Sequence, residues 1–110
     1  MSPNVKKFIE DNYDFRGDLT FELKDDIYVV TSDANHEWME VKNKDIETLT
    51  NGLFVWGDNK KMTFRCEGCK NLVSLDGAPQ ECDLFSCNGC PNLTSLEGAP
   101  QKCDGFYCKN

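Results

Sequence analysis

Residues 64–83 read FRCEGCKNLVSLDGAPQECD, and residues 85–104 read FSCNGCPNLTSLEGAPQKCD. Aligned from Phe64 and Phe85, the two stretches agree at 14 of 20 positions. Residues 106–110, FYCKN, open a third copy in the same register. Self-similarity at a fixed period of this size is the signature of a repeat architecture, in which each copy stacks on the next. The cysteines obey the period. Cys66, Cys87 and Cys108 form one column, Cys69 and Cys90 a second, Cys82 and Cys103 a third. Leu72 matches Leu93, and Leu75 matches Leu96. Residues that recur at the stacking period are expected to face the shared core.

Each copy has a physical reading. Phe85-x-Cys87 alternates as a short strand does, with both side chains on one face. Cys90 falls at a corner, Leu93 and Leu96 follow at loop spacing, and Gly98-Ala99-Pro100 turns the chain back in an extended segment. Cys103 leads into the next strand. The run Cys82-x-x-Phe85-x-Cys87-x-x-Cys90-x-x-Leu93 resembles the leucine-rich repeat, and the short Ala-Pro return is similar to bacterial repeats of about 20 residues. The phrase Asn92-Leu93-Thr94-Ser95-Leu96-Glu97-Gly98-Ala99-Pro100, with its variant at 71–79, resembles leucine-rich-repeat proteins of bacteriophage and prophage genomes. The resemblance covers residues 62–110 and weakens upstream. It implies that strand and corner residues point inward, that the corner residue serves the backbone of the turn, and that residues between the inward strand positions line an exposed sheet face.

Upstream, Met39-x-Val41 is read as the strand of a degenerate coil, with Ile46 and Leu49 at the two leucine positions and Asn43 or Lys44 near the corner. Leu53-Phe54-Val55-Trp56-Gly57 replaces the Gly-Ala-Pro return. The step from Leu49 to Leu75 is longer than the step from Leu75 to Leu96, so this coil carries an insertion. Leu19-x-Phe21-x-Leu23 and Ile27–Val30 read as two strands joined by a turn at Asp25-Asp26. Before them a short helix is expected, capped by Ser2, with Pro3 in its first turn and Val5, Phe8 and Ile9 on one face. The expected fold is thus an α/β solenoid dominated by β, in one domain over 1–110. Its leucine-rich-repeat-like coils, of about 21 residues each, share a parallel sheet. Residues 1–35 form the N-terminal cap, 36–61 the degenerate coil, and 62–110 the regular coils, the last incomplete. Trp38 and Trp56 are assigned to the core of the degenerate coil. Strand 106–108 is expected to leave an open end through which a homodimer could form.

Composition narrows the function. Net charge is −7, with 12 acidic and 6 basic residues in 1–55 and 7 and 6 in 56–110. Nucleic acid binding wants a basic footprint, so a direct nucleic acid partner is disfavoured. No leader-like apolar region opens the sequence and no run approaches a membrane span, so a cytoplasmic location, or the host cytoplasm for a phage-encoded chain, is expected. Thiols stay reduced there, and seven cysteines need a role other than disulfides. Free cysteine packs as a small hydrophobe, which fits its recurrence at core positions. The alternative is zinc. Cys66-x-x-Cys69 and Cys87-x-x-Cys90 are separated by the stretch 70–86, a spacing compatible with a four-cysteine site, and zinc is the one cofactor the sequence suggests. Stacked strands also bring column partners within disulfide range, so bridges between them can form after purification.

Catalysis has little to stand on. His36 is the only histidine and sits in a polar loop, and no nucleophile elbow, zinc-protease helix or phosphate loop is present. The expectation is a non-enzymatic chain that binds protein. Its exposed sheet face would carry Glu40, Thr63, Arg65, Glu67, Leu84, Ser86, Asn88, Tyr107 and Lys109, with Asp104 beside them. The two full coils agree in their core but differ on this face: Arg65 stands against Ser86, Glu67 against Asn88 and Thr63 against Leu84. The phage resemblance implies a more specific role, an anti-defence inhibitor that binds a host effector such as a CRISPR protein. A zinc-stabilised cysteine-rich domain contacting nucleic acid or protein, and a homo-oligomeric structural protein, are the alternatives.

Overall fold

The computed structural model describes residues 3–16, 18–32, 38–57 and 62–109. One helix, α1 (Pro3–Asn12), precedes eight strands: β1 (Tyr13–Arg16), β2 (Leu19–Lys24), β3 (Ile27–Ser32), β4 (Trp38–Val41), β5 (Phe54–Trp56), β6 (Thr63–Arg65), β7 (Glu81–Ser86) and β8 (Lys102–Tyr107). They form a five-stranded sheet, ordered β1-β4-β6-β7-β8, and a three-stranded sheet, ordered β2-β3-β5. The fold is mostly β, with a parallel-strand solenoid of about three turns.

The repeat builds the solenoid directly. β4, β6, β7 and β8 are parallel neighbours, with Met39 opposite Phe64, Phe64 opposite Phe85, and Phe85 opposite Phe106. The last two steps match the period read from the sequence. The phenylalanines form a ladder: Phe64 and Phe85 stack with centroids 5.5 Å apart, and Phe85 and Phe106 with centroids 5.6 Å apart. These separations exceed the strand spacing of about 4.8 Å, so the rings are offset, as their quadrupoles favour. Cys66, Cys69, Leu72, Leu75, Phe85, Cys87 and Cys90 have no exposed surface. Leu96, at a core position of the repeat, is 54% exposed because no further described coil covers it.

The corners reuse the same chemistry. The ladder runs past the strands, with Cys66 N–H donating to Ser86 O and Gly68 N–H to Asn88 O, then Cys87 N–H to Tyr107 O and Gly89 N–H to Lys109 O. In the returns, Ser74 Oγ accepts from Asp76 N–H and Ser95 Oγ from Glu97 N–H, so each Ser-x-acidic triplet closes its own turn. Gly98 then packs against the preceding coil: a Cβ there would sit 2.5 Å from Asp76 N, and its φ is +89°. Only glycine fits both the space and the backbone angle.

The stretch 38–57 adds to the sheets, and with β1 it supplies two elements the sequence did not disclose. Ile46 and Leu49 are buried. Lys44 occupies the corner, its Nζ donating to Val41 O at 2.7 Å and Glu67 O at 3.0 Å. The inserted residues form β5, which leaves the coil to pair in parallel with β3. β1 pairs antiparallel with β4 and extends the main sheet at its N-terminal edge. Trp56 is buried, but Trp38 is not core: it is 38% exposed. β4 alternates, and Met39 and Val41 take its inward positions, leaving Trp38 and Glu40 on the outer side.

The N-terminal elements pack into the same core. α1 buries Val5 and Ile9, and Phe8 meets Phe54 edge-on at 6.2 Å. β2 and β3 form a hairpin turning at Asp25 and Asp26, both at positive φ (50° and 67°), as a two-residue primed turn requires. Tyr13, Phe54, Trp56 and Phe64 make an aromatic cluster that links the two sheets. Tyr13 is buried, and its hydroxyl donates to Leu49 O at 2.7 Å. Ser2 and residues 33–37, His36 among them, lie outside the described residues.

Candidate functional site

The outward positions of the main sheet fall into two rows. One runs Arg16, Trp38, Thr63, Leu84, Gly105, and the other Asp14, Glu40, Arg65, Ser86, Tyr107, each residue opposite its neighbour across the strands. Glu67, Asn88 and Lys109 continue the face at the corner. Of the residues expected there, Glu40, Thr63, Arg65, Glu67, Leu84 and Asn88 are partly exposed, while Tyr107, Lys109 and Asp104 are exposed.

Ser86 departs from the expectation: it is 1% exposed and offers no contact surface. It is a short side chain between Arg65 and Tyr107 in the same row. Its hydroxyl donates to Glu67 Oε2 at 2.7 Å, and Arg65 Nη1 stands 3.5 Å from Glu67 Oε1. Arg65, Glu67 and Ser86 thus form one network that fixes the guanidinium at the centre of the face. The ion pair is about two-fifths exposed and contributes positioning more than stability. Tyr107 leans back over Gly105, whose Cα leaves room for the ring and for Leu84: an ideal Cβ there would lie 3.2 Å from Tyr107 Cε2 and 3.6 Å from Leu84 Cδ1. Trp38, missed as a face residue, brings a second large aromatic to the outer side. Its place next to Met39, outside the inward Met39-x-Val41 pair, was the available signal.

The inner side holds the cysteines. Cys66, Cys69, Cys82, Cys90 and Cys103 are free, and Cys87 and Cys108 are joined as a disulfide with Cα atoms 4.7 Å apart. This bridge replaces two of the seven free thiols expected from the sequence. Its cause is the stacking itself, which puts column partners within the Cα range a disulfide needs. Cys90 Sγ donates to Cys66 O at 3.0 Å, tying one corner to the strand of the preceding coil. Cys69 Sγ donates to Glu67 O at 3.7 Å.

Burial governs these thiols. It pushes the Cys69 thiol up to about 11, with the neighbouring Cys90 adding to the shift and Lys44 opposing it. Burial, then Cys90 and Cys69, raise Cys66 further still. Cys82 is pushed up to about 12 by burial, Cys103 and Asp83. Such thiols are protonated at neutral pH and react only through a minor thiolate fraction. Of the four cysteines in the zinc alternative, Cys87 is engaged with Cys108 while Cys66, Cys69 and Cys90 remain free. Among the described residues no group of three or more histidine, cysteine or acidic side chains has metal-binding geometry, and no helix is long and apolar enough to cross a membrane.

Comparison with protein-family models gave no match, and searches of curated proteins and of solved structures likewise gave no significant match.

Proposed function

We propose that the chain is a non-catalytic protein-binding module that engages its partner through the outer face of the five-stranded sheet. The observation that carries this reading is the Arg65–Glu67–Ser86 network. It holds an arginine in place amid Trp38, Leu84 and Tyr107 on a face where the repeats diverge. Arginine and large aromatics are the side chains that dominate binding energy at interfaces, and an arginine already fixed loses less entropy on docking. The inner face, by contrast, is apolar and its thiols are protonated, which supports a structural part for it. On the phage resemblance, we further propose that the partner is a bacterial defence protein and that binding inhibits it. The acidic chain suits a basic effector surface.

The test is capture from bacterial lysate by the full chain, its double variant Arg65→Glu/Tyr107→Ala, and Val73→Glu on the return. The wild type and Val73→Glu should recover the same stoichiometric partner, and the double variant should recover at least about tenfold less, in line with loss of central anchors. Equal recovery by all three would remove the sheet face from consideration.

A second reading keeps the zinc alternative: Cys66, Cys69 and Cys90 are free and buried, but they would have to rearrange to hold a metal, since no three described side chains have that geometry. A zinc ion held by their thiolates would make this a metal-organised repeat. It would bind stoichiometrically and its removal by chelator would unfold the chain.

A further inference from the structure

The β7–β8 pair carries two cysteine pairs of opposite character. Cys87 and Cys108, just beyond one end, are already joined. At the other end Cys82 and Cys103 are direct register partners, and both are free. Register partners on adjacent parallel strands point to the same side of the sheet and lie about 4.8 Å apart, within the Cα range for a disulfide. Access also differs. Cys66, Cys69 and Cys90 are fully buried, whereas Cys103 is partly exposed and its neighbour Cys82 is 4% exposed. A cavity of ≈ 230 Å³ lined by Glu81, Cys82, Lys102, Cys103 and Asp104 opens beside the pair.

We propose that Cys82 and Cys103 form a dithiol site, open to solvent through Cys103, that takes small disulfides and closes reversibly into a second cross-coil disulfide. Cys103, as thiolate, attacks one sulfur of the small disulfide. A protein–small-molecule S–S bond forms, the original S–S bond breaks, and one small thiol leaves with a proton. Cys82 then gives up its proton and attacks the Cys103 sulfur, and the second small thiol leaves. The two protein sulfurs lose two electrons, the small disulfide gains them, and both protein protons end on the two small thiols. Excess small thiol runs the steps backward. The closed form ties β8 to β7 at both ends of the pair, so the site sets how firmly the last described strand is held.

The surroundings set the rate. Glu81 and Asp83 on β7 and Lys102 and Asp104 on β8 are the charged groups around the pair. Burial and Asp104 raise the Cys103 thiol, so the reactive thiolate is the minor species at neutral pH. Closure therefore speeds up about tenfold per pH unit while that holds.

The experiment treats the full chain with oxidised glutathione, without reductant, and follows free thiols and disulfide-linked fragments. Cleavage before aspartates releases residues 76–82, carrying Cys82 as its only cysteine, from residues 83–103. The expected result is a fall from five free thiols to three, with fragment 76–82 bound to 83–103 through Cys103. Cys82→Ser should stop at a mixed disulfide between Cys103 and glutathione. Cys103→Ser, with its fold checked by circular dichroism, should leave Cys82 unmodified. Five thiols persisting in the wild type, a lasting glutathione adduct on it, or a link from Cys82 to another cysteine would each overturn the site.

Discussion

Single residues hold this fold where a backbone group would otherwise lack a partner or a place. Tyr13 is the clearest case, with a buried hydroxyl donating to Leu49 O. Tyr13→Phe should cost about 1–3 kcal/mol in denaturant unfolding, since the Leu49 carbonyl is left without its donor inside the aromatic cluster. Burial pushes the Tyr13 hydroxyl well above its ordinary value, so it stays a donor across the whole accessible pH range. Gly98 and Gly68 separate two effects of glycine. Both have positive φ, but a Cβ on Gly98 strikes the backbone of Asp76, whereas one on Gly68 meets nothing within 4 Å. Gly68→Ala should cost about 1 kcal/mol from the backbone angle alone. Gly98→Ala should cost clearly more, and equal losses in thermal unfolding would contradict the close coil-to-coil packing. The Gly-Ala-Pro signature was legible in the sequence as a turn. That the glycine also marks the contact with the preceding coil was not, because sequence period gives spacing along the chain and not the approach between backbones.

Elements differ in how plainly they were written. The regular strands announced themselves because the same Phe-x-Cys pair recurs at Phe64, Phe85 and Phe106. The β2–β3 hairpin was legible from alternation around Asp25-Asp26. Aspartate tolerates positive φ but prefers it less than glycine does, and the two side chains are like charges. Replacing the pair by Asn-Gly should therefore raise stability by about 1 kcal/mol without changing the strand register. A lower melting temperature would argue against the primed turn. β1 and β5 were hidden for a physical reason. Each is very short, and each pairs with a strand far from it in sequence, which local alternation does not encode. Ser86 was misplaced for a related reason. Alternation correctly put it on the outer side, but burial there depends on its neighbours Arg65, Glu67 and Tyr107.

At the scale of the whole molecule, the stack makes stability depend on thiol protonation. Burial raises Cys69 to about 11 and Cys82 to about 12 from an ordinary value of 9.0. The unfolded chain therefore loses these protons near pH 9 while the folded chain keeps them. Their contribution is fully present below pH 9 and is lost as pH rises toward 11 and 12. Each such thiol should steepen the fall by at most about 1.4 kcal/mol per pH unit in that window. Serine at Cys69 should flatten the alkaline limb of a stability profile. Above all, the repeated cysteines are stacked core. Thiol titration of reductant-free protein, native and then unfolded, together with its zinc content, tests this most directly. With an alkylating reagent the expected result is no zinc, slow reaction of Cys103 alone in the native state, and the other four of the five free thiols reacting only on unfolding. Stoichiometric zinc that protects Cys66, Cys69 and Cys90 until chelator is added would contradict it.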